Sequence, residues 1–372
     1  MRIAVLLHKT VVHDGRVLRE ARALADAGHD VVVVHLPREL DSEVPGGFRL
    51  RSATPSAWTR RLPRTFWRVV ALGSIARHAR AERPDAIHAN DIATLIPGCL
   101  AARRGTRLVY DTHEYAVGVP YRKAVWAWLA ATIERLLVRR CDAVITVSDG
   151  IAERLQSRYE LARRPTVVRN VPDLPPPGAA PDLRVEMGIG SAPLVLHQGA
   201  VAEGRGGGNL VRAVARMDSA HLLFLGADGA FAEGLRELGE GVGLVGRLHF
   251  HPPVPLAELL SYTTQADVGV SLLEDTCENH RLALPNKLFE YLAADLPVVV
   301  SDLPEMRRLV TERGVGWVTD PGDPADIARV LDEALRSRDD KGLRQRVRDA
   351  AAELNWPHER SRLTGLYARL ES

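Results

Sequence analysis

The first half of the chain alternates short apolar runs with segments of helical periodicity. The apolar runs are rich in Val, Ile and Leu without polar alternation, which is typical of strands buried on both faces. Glycines such as Gly28 and Gly105 end the helical segments. The pattern predicts a parallel sheet covered by helices, with strands at 3–7, 31–36, 86–89, 108–110, 143–147 and 167–168 and helices at 16–27, 92–103 and 125–140.

A proline-rich stretch separates this series from a second one. Residues 172–182 hold five prolines, which predicts a linker at 173–182 between domains 1–172 and 183–355. We expect an α/β architecture of two doubly wound parallel-sheet domains that face each other across a cleft, where ligands meet the carboxyl ends of the strands. The second series has strands predicted at 194–197, 222–225, 248–251, 268–271 and 298–300.

Composition narrows the class of protein. A length of 372 residues favours two domains, and a net charge of only +2 makes nucleic acid a poor candidate partner. The three cysteines fit neither a disulfide framework nor a zinc site, so we expect a reducing cytoplasm. The N-terminus lacks the features of a secretory signal, and no apolar stretch is long enough to span a bilayer.

Residues 284–294 carry the clearest candidate chemistry. Pro285 precedes a predicted helix whose Lys287 and Glu290 lie three residues apart, away from its apolar face. The start of a helix favours anions, and a carboxylate one turn further on accepts hydrogen bonds from ribose hydroxyls. The alternative is an exposed ion pair, worth about 0.2–0.5 kcal/mol. Only four of the 49 Lys and Arg residues are lysines, which favours a selected role for Lys287.

A glycine-rich loop follows the first strand of the second series. Gly199 and Gly204 would let backbone amides approach an anion, and Arg205 would clamp phosphate oxygens. A loop whose glycines only avoid strain is the alternative, since the spacing departs from the dinucleotide fingerprint. We predict that the next helix begins near Asn209.

Polar residues follow three strands of the first domain at the edge that would face the cleft. A lone histidine at a strand end is often only a loop residue, but three such sets on one edge favour a lined site. Ser148, by contrast, is explained as the cap of the next helix. The three sets comprise Asp14, Gly15 and Arg16; His88, Asn90 and Asp91; and Asp111, Thr112, His113 and Glu114.

In their order and spacing these motifs resemble the retaining, nucleotide-sugar-dependent glycosyltransferases of family four, which have the GT-B fold of two facing Rossmann-like domains. The resemblance covers nearly the whole chain. It rests on residues 14–20, 88–91, 110–114, 145–148, 169–171, 198–199, 204–206, 279–281, 284–294 and 297–302.

The resemblance implies roles for individual residues. Glu290 would bind the ribose of the donor, the amides around Asn286 to Leu288 the diphosphate, and His113 the reacting sugar. The last helix, residues 356–372, would cross back onto the first domain. The resemblance implies catalytic roles for His113, Glu290, Lys287 and Arg205, donor contacts for Gly15, Gly199, Gly204, Arg205, Asn286, Lys287, Leu288 and Glu290, and acceptor or sugar contacts for Asp14, Asn90, Asp91, Glu114 and Glu278.

Three positions depart from the family pattern. Leu282 stands where many relatives have a glutamate that contacts the donor sugar, and Glu278, Glu274 or backbone amides are the candidates to replace that contact. Ala200 replaces an arginine, which leaves more of the phosphate charge to Arg205 and Lys287. Asp295 stands where a glycine is common.

The resemblance implies transfer of a sugar from a nucleoside diphosphate donor, such as a UDP-sugar, with retention of configuration and without metal or other cofactor. No cluster with metal-ligand spacing is evident in the sequence. In the expected front-face mechanism, basic residues and helix amides stabilise the departing diphosphate. An epimerase on the same fold and a nucleotide-sugar-binding protein without catalysis are the alternatives.

The acceptor would be a small molecule, a glycan or a lipid-linked sugar, as in bacterial natural-product or cell-envelope glycosylation. It would bind the variable loops 43–64 and 115–123, and Trp126 and Trp128 could line its site. The mixture of cations and aromatics at 58–68 allows a weak peripheral contact with the inner face of the membrane, although a helix packed on its sheet is the favoured interpretation.

Overall fold

The structure, a computed structural model, describes residues 1–11, 14–36, 47–55, 59, 61, 63–119, 124–173, 178 and 180–372, and side chains 64–65 and 124–127 are outside that description. Contacts divide the chain into a first unit, Met1–Asn170 with Pro357–Ser372, and a second unit, Val171–Trp356. The cleft expected between the domains stays a prediction.

The first unit contains one seven-stranded sheet in the order β3-β2-β1-β4-β5-β6-β7. All of its strand pairs are parallel, as the unbroken apolar runs predict. Its strands are β1 (Arg2–Leu7), β2 (Asp30–His35), β3 (Arg49–Ser52), β4 (Ala86–Asn90), β5 (Arg107–Thr112), β6 (Ala143–Thr146) and β7 (Thr166–Val167), and its helices are α1 (Gly15–Asp26), α2 (Arg64–Ala81), α3 (Asp91–Ala101), α4 (Ala124–Val138) and α5 (Asp149–Tyr159).

Helix starts in this unit follow local capping chemistry. The Asp14 carboxylate accepts a hydrogen bond from the Val17 amide and caps α1. The Ser148 hydroxyl does the same for α5 by accepting from the Ile151 amide at 3.2 Å, which confirms its structural role.

The second unit contains a six-stranded parallel sheet in the order β10-β9-β8-β11-β12-β13. Its strands are β8 (Leu194–Gln198), β9 (His221–Leu225), β10 (Leu248–His251), β11 (Val268–Ser271), β12 (Val298–Ser301) and β13 (Gly316–Thr319). Its helices are α6 (Leu183–Glu186), α7 (Gly207–Ala215), α8 (Gly229–Gly241), α9 (Leu256–Thr263), α10 (Glu278–Leu282), α11 (Asn286–Ala293), α12 (Pro304–Arg313), α13 (Pro324–Arg336) and α14 (Lys341–Glu353), and α15 (Trp356–Glu371) falls in the first unit except for its first residue.

The apolar face predicted for residues 284–294 packs into the core of the second unit. Leu288, Phe289, Tyr291 and Leu292 are all at most 1% exposed. The Tyr291 ring covers Gly269 of β11 so closely that a Cβ there would lie 2.3 Å from the ring. This packing fixes which face of α11 remains for Lys287 and Glu290.

Two strands and one helix start differ from the sequence-based expectation. The edge strand β3 carries largely exposed polar residues, and β13 is only half-buried, so neither has a buried apolar run. Helix α7 begins at Gly207 rather than near Asn209.

The predicted linker lies in the second unit, where the Gly178 amide donates to the Ser261 hydroxyl at 2.7 Å. Its residues 174–177 and 179 lie outside the described residues, as do parts of both proposed acceptor loops and the side chain of Trp126.

The segment 58–68 is described only in part, and Trp67 packs against the core of the first unit. Trp128 is 66% exposed, and the membrane contact stays a prediction. Within the described residues, no helix combines the length and hydropathy that a bilayer crossing needs.

Candidate functional site

The start of α11 brings Lys287 against the end of β8. Pro285 precedes the helix with an extended backbone, and Asn286 is its first residue. The Lys287 Nζ lies 3.2 Å from Nε2 of His197, a β8 side chain that is 1% exposed. Sequence reasoning assigned His197 no role, because nothing in a strand-forming run shows which helix will cover it.

Burial, together with the nearby Arg205 guanidinium, lowers the pKa of Lys287 to about 7, and Glu290 opposes this change. Burial also holds the pKa of His197 well below its ordinary value, and both Lys287 and Arg205 act in the same direction. The site therefore combines a neutral imidazole with an amine that is poised to gain a proton when an anion arrives.

Glu290 is held by a polar chain that begins on β8. The Gln198 side-chain amide donates to the Glu290 carboxylate, and the Thr263 hydroxyl donates to Gln198 Oε1 at 2.6 Å. The Gln198 backbone amide donates to the Tyr291 hydroxyl at 2.9 Å. Gln198 thus orients the carboxylate predicted to bind ribose, a positioning role that the sequence did not reveal.

The glycine-rich loop uses glycines where the backbone has positive φ. Gly199 has φ +86°, Gly204 +76° and Gly206 +68°. At Gly206 a Cβ would lie 2.5 Å from both the Cβ and the carbonyl oxygen of Leu272, so only glycine fits. Arg205 lies between the last two glycines with an exposed side chain, in a position to meet an anion from solvent.

Glu278 begins the short helix α10 and Leu282 ends it, just before α11. Both residues are partly exposed. Compensation of Leu282 by Glu278 stays a prediction.

In the first unit, His113 follows β5 and lies among acceptors. Its Nε2 is 3.1 Å from Asn90 Oδ1 and 3.5 Å from Asp111 Oδ2, and its Nδ1 is 3.7 Å from Asp91 Oδ1. Burial disfavours the charged ring, but Asp111 and Asp91 outweigh it and raise the pKa of His113 to about 9. His113 is therefore a cation and a hydrogen-bond donor at neutral pH, rather than a base.

Asp111, which lies beside His113, belongs to a buried ionic network. Arg16 donates to both oxygens of Asp111 at 3.0 Å and lies 2.9 Å from Glu20. His88 Nε2 lies 3.4 Å from Asp111 Oδ2. Although burial opposes ionisation, Arg16 and His113 hold the pKa of Asp111 well below its usual range. Burial raises the pKa of Glu20 to about 7 against the attraction of Arg16.

One atom each of Glu20, Asp111 and His113 lie within 4.8 Å of one another, a grouping that could hold a metal ion. Arg16 already pairs with both carboxylates, so a metal would have to displace a buried guanidinium. The two carboxylates are therefore better suited to the Arg16 guanidinium than to a metal ion.

The remaining first-unit candidates differ in their surroundings. Asp14 caps α1 and pairs with Lys9 at 3.0 Å, and Gly15 is the exposed first residue of that helix. Asn90 is buried and donates to the Leu6 carbonyl, whereas Asp91 is partly exposed with φ +61°. The Glu114 side chain is exposed and its carbonyl accepts from the Thr112 hydroxyl.

The structure thus gathers the candidates into two groups. Gly199, Gly204, Arg205, Asn286, Lys287, Leu288 and Glu290 belong to the second unit, as does Glu278, and Asp14, Gly15, Asn90, Asp91, His113 and Glu114 belong to the first.

Comparison with known proteins assigns both parts of the chain to families. The profile described as Glycosyltransferase Family 4 matches residues 16–174, and the one described as Glycosyl transferases group 1 matches residues 192–337. Both halves of the chain belong to glycosyltransferase families. This confirms the family inferred from the motifs.

Individual relatives agree with this assignment. Probable glycosyltransferase WbjE of Pseudomonas aeruginosa is 35% identical over 89 residues, which are 23% of this chain. The matched stretch covers only 22% of that relative's length.

Solved structures of the same fold cover the whole chain. Sucrose-phosphate synthase from Thermosynechococcus elongatus matches with a TM-score of 0.80 at 19% identity, over 100% of this chain and 99% of that one. HepE from Anabaena in complex with UDP-glucose matches with a TM-score of 0.75 at 16% identity, over 99% and 100% of the two chains. The two parallel-sheet domains are therefore those of the GT-B fold.

Proposed function

We propose that this glycosyltransferase-family chain transfers a sugar from a nucleoside diphosphate sugar to an acceptor hydroxyl with retention of configuration. The observation that carries the proposal is the set of charged residues gathered at the start of α11. Lys287 and Arg205 supply positive charge at that helix start, and Glu290 follows one turn later, oriented by Gln198. This matches what a diphosphate joined to a ribose requires.

In the reaction we propose, the bond between the sugar C1 and the diphosphate oxygen breaks through an oxocarbenium-like state. Negative charge grows on the departing diphosphate, where Lys287, Arg205 and the α11 amides would stabilise it. The acceptor hydroxyl attacks from the same side and gives its proton to the departing phosphate oxygen. A protonated His113 cannot take that proton, so we assign it the orientation of the sugar through donated hydrogen bonds.

The mechanism uses no metal, because basic side chains and helix amides neutralise the leaving group. UDP-sugars are the first donors to test, since a solved protein of the same fold holds UDP-glucose.

The test incubates the purified chain with UDP-, GDP-, ADP- and dTDP-sugars, with and without EDTA. We expect slow, EDTA-resistant release of one nucleoside diphosphate, and faster release with an acceptor whose glycosylated product retains the anomeric configuration by NMR. Glu290→Gln and Lys287→Ala should each lower kcat/KM by about ten- to a hundredfold, because a hydrogen bond to a charged group contributes about 1.5–3 kcal/mol.

Lys341→Ala is the matched control, since Lys341 is exposed at the start of α14. If Glu290→Gln and Lys287→Ala both leave kcat/KM unchanged, the site assignment is wrong. An isomerised donor would indicate an epimerase. Donor binding without turnover would indicate a binding protein, for which Leu282 in place of the family glutamate is the supporting feature.

A further inference from the structure

The contact between His197 and Lys287 joins a buried strand residue to a helix start. His197 is 1% exposed on β8, and its ring packs against Phe224 at 5.1 Å between centroids. Its Nε2 lies 3.2 Å from the Lys287 Nζ. The imidazole is thus fixed by the core, whereas the lysine side chain has four rotatable carbons and depends on a partner for its position.

The protons of this contact can be assigned from the donor inventory. When Lys287 is protonated, its ammonium donates and cannot accept, so its contact with Nε2 then requires that this nitrogen carry no proton. The proton of the neutral ring is then on Nδ1, which is buried and has no hydrogen-bond partner among the residues that the structure describes.

Two other charged groups act on Lys287. Arg205, on the loop after β8, repels Lys287, and Glu290, on the same helix, attracts it. Glu290 also accepts from Gln198, which draws its carboxylate toward β8. His197 Nε2, at 3.2 Å, is an acceptor for the Lys287 Nζ among the residues that the structure describes.

We propose that His197 is a positioning residue for Lys287: its Nε2 holds the amine of Lys287 at the start of α11, where the donor diphosphate would bind, and so couples nucleotide binding to proton uptake. The donor part of this inference rests on the proposed function.

The titration of Lys287 tests, in the absence of any ligand, whether His197 positions its amine. The chain has four lysines, so labelling lysine with ¹³C at Cε gives four NMR signals, and Lys287→Arg identifies the one from Lys287. We expect a midpoint of about 7 in the unmodified protein. In His197→Leu the amine has no acceptor and turns to solvent, so the midpoint should rise by two or more units toward the ordinary value of about 10.4.

His197→Gln is the matched control, because its amide oxygen reaches about as far as Nε2 and accepts a hydrogen bond. It should keep the Lys287 midpoint within about half a unit of the unmodified protein. Far-UV circular dichroism of both variants verifies folding, and leucine suits the apolar run of β8. A Lys287 midpoint that stays near 7 in His197→Leu, or falls, would show that other groups hold the lysine and would overturn the proposal.

Calorimetry with UDP at pH 8, in buffers of different ionisation enthalpy, tests the link to the donor. We expect uptake of close to one proton per UDP in the unmodified protein and in His197→Gln. His197→Leu should show little uptake and a dissociation constant raised about fivefold or more. Equal uptake and affinity in His197→Leu would overturn the coupling. If the unmodified protein binds neither UDP nor GDP, ADP or dTDP, the proposed function itself fails, whatever the NMR titration shows.

Discussion

The two best-defined side chains of the candidate site have opposite protonation behaviour. Burial and Arg205 lower the pKa of Lys287 to about 7, whereas Asp111 and Asp91, against burial, raise the pKa of His113 to about 9. In a transfer reaction Lys287 would take up a proton when the diphosphate binds, whereas His113 would remain a protonated hydrogen-bond donor. Each behaviour follows from burial and from the nearest charged groups rather than from the residue type.

Nucleotide affinity should therefore depend on pH through Lys287. Below about pH 7 the amine is already charged, so its contribution to UDP affinity is constant. Between pH 7 and 9 binding must first supply a proton, so the dissociation constant should rise with pH, by up to about tenfold per unit. The measurement is a calorimetric titration with UDP across this range.

Lys287→Arg is the informative control for this pH dependence, because arginine stays charged throughout the range. Its dissociation constant should change much less between pH 7 and 9. A steep rise that persists in Lys287→Arg would assign the titration to another group.

At the scale of elements, the join between the glycine-rich loop and α7 determines whether the loop can form. The chain passes through Gly206, which has positive φ and lies against Leu272, and enters the helix at Gly207. Cβ atoms are excluded there both by the backbone conformation and by the neighbour. The loop that carries Arg205 therefore depends on one glycine more than on its general richness in glycine.

Gly206→Ala should destabilise the second unit by about 2–4 kcal/mol, because it adds left-handed strain and a 2.5 Å approach to Leu272. Gly208→Ala is the control. It lies inside α7, where alanine favours the helix by about 1 kcal/mol and the nearest atom is the flexible end of Arg212. Urea unfolding measures both variants. Equal stability of the two would contradict the steric explanation.

At the scale of the whole molecule, the C-terminal helix completes the core of the first unit. The Tyr367 hydroxyl of α15 lies 2.8 Å from Nδ1 of the buried His88. Glu359 accepts from the Arg169 amide at 2.9 Å. Through His88 and Asp111, α15 is thus connected to the network beneath His113, even though it comes last in the chain.

Tyr367→Phe should lower the stability of the first unit by about 1–3 kcal/mol, because it leaves His88 Nδ1 buried without a partner. For a unit of this size the melting temperature should fall by about 2–4 °C per kcal/mol. Differential scanning calorimetry measures the loss. Arg369→Ala, an exposed position on the same helix, should change stability by less than about 0.5 kcal/mol. Equal melting temperatures of the two variants would show that the hydrogen bond between Tyr367 and His88 does not stabilise the first unit.

Much of the architecture is predictable from local pattern. Runs such as residues 31–34 and 298–300 have only apolar side chains, which a strand covered on both faces needs, and they belong to interior strands of parallel sheets. The edge strand β3 escaped prediction because one exposed face admits polar residues. The site was predictable where it is local, as at Lys287 and Glu290 on one helix.

The non-local part of the site was not predictable. Arg16 and Asp111 are 95 positions apart, and each is an unremarkable charged residue until the sheet brings them within 3.0 Å. The same holds for His197 and Lys287, which are 90 positions apart. No periodicity encodes such pairs, since their contact depends on how strands and helices pack.

The sequence by itself determined the alternation of strands and helices, the parallel sheets and the apolar face of α11, because these depend on which side chains must leave water along a regular element. Tertiary structure alone decided the protonation of Lys287 and His113, the orientation of Glu290 by Gln198, and the network under His113. Charge states depend on desolvation and on distances of a few ångströms between remote residues, and only the packed chain sets these.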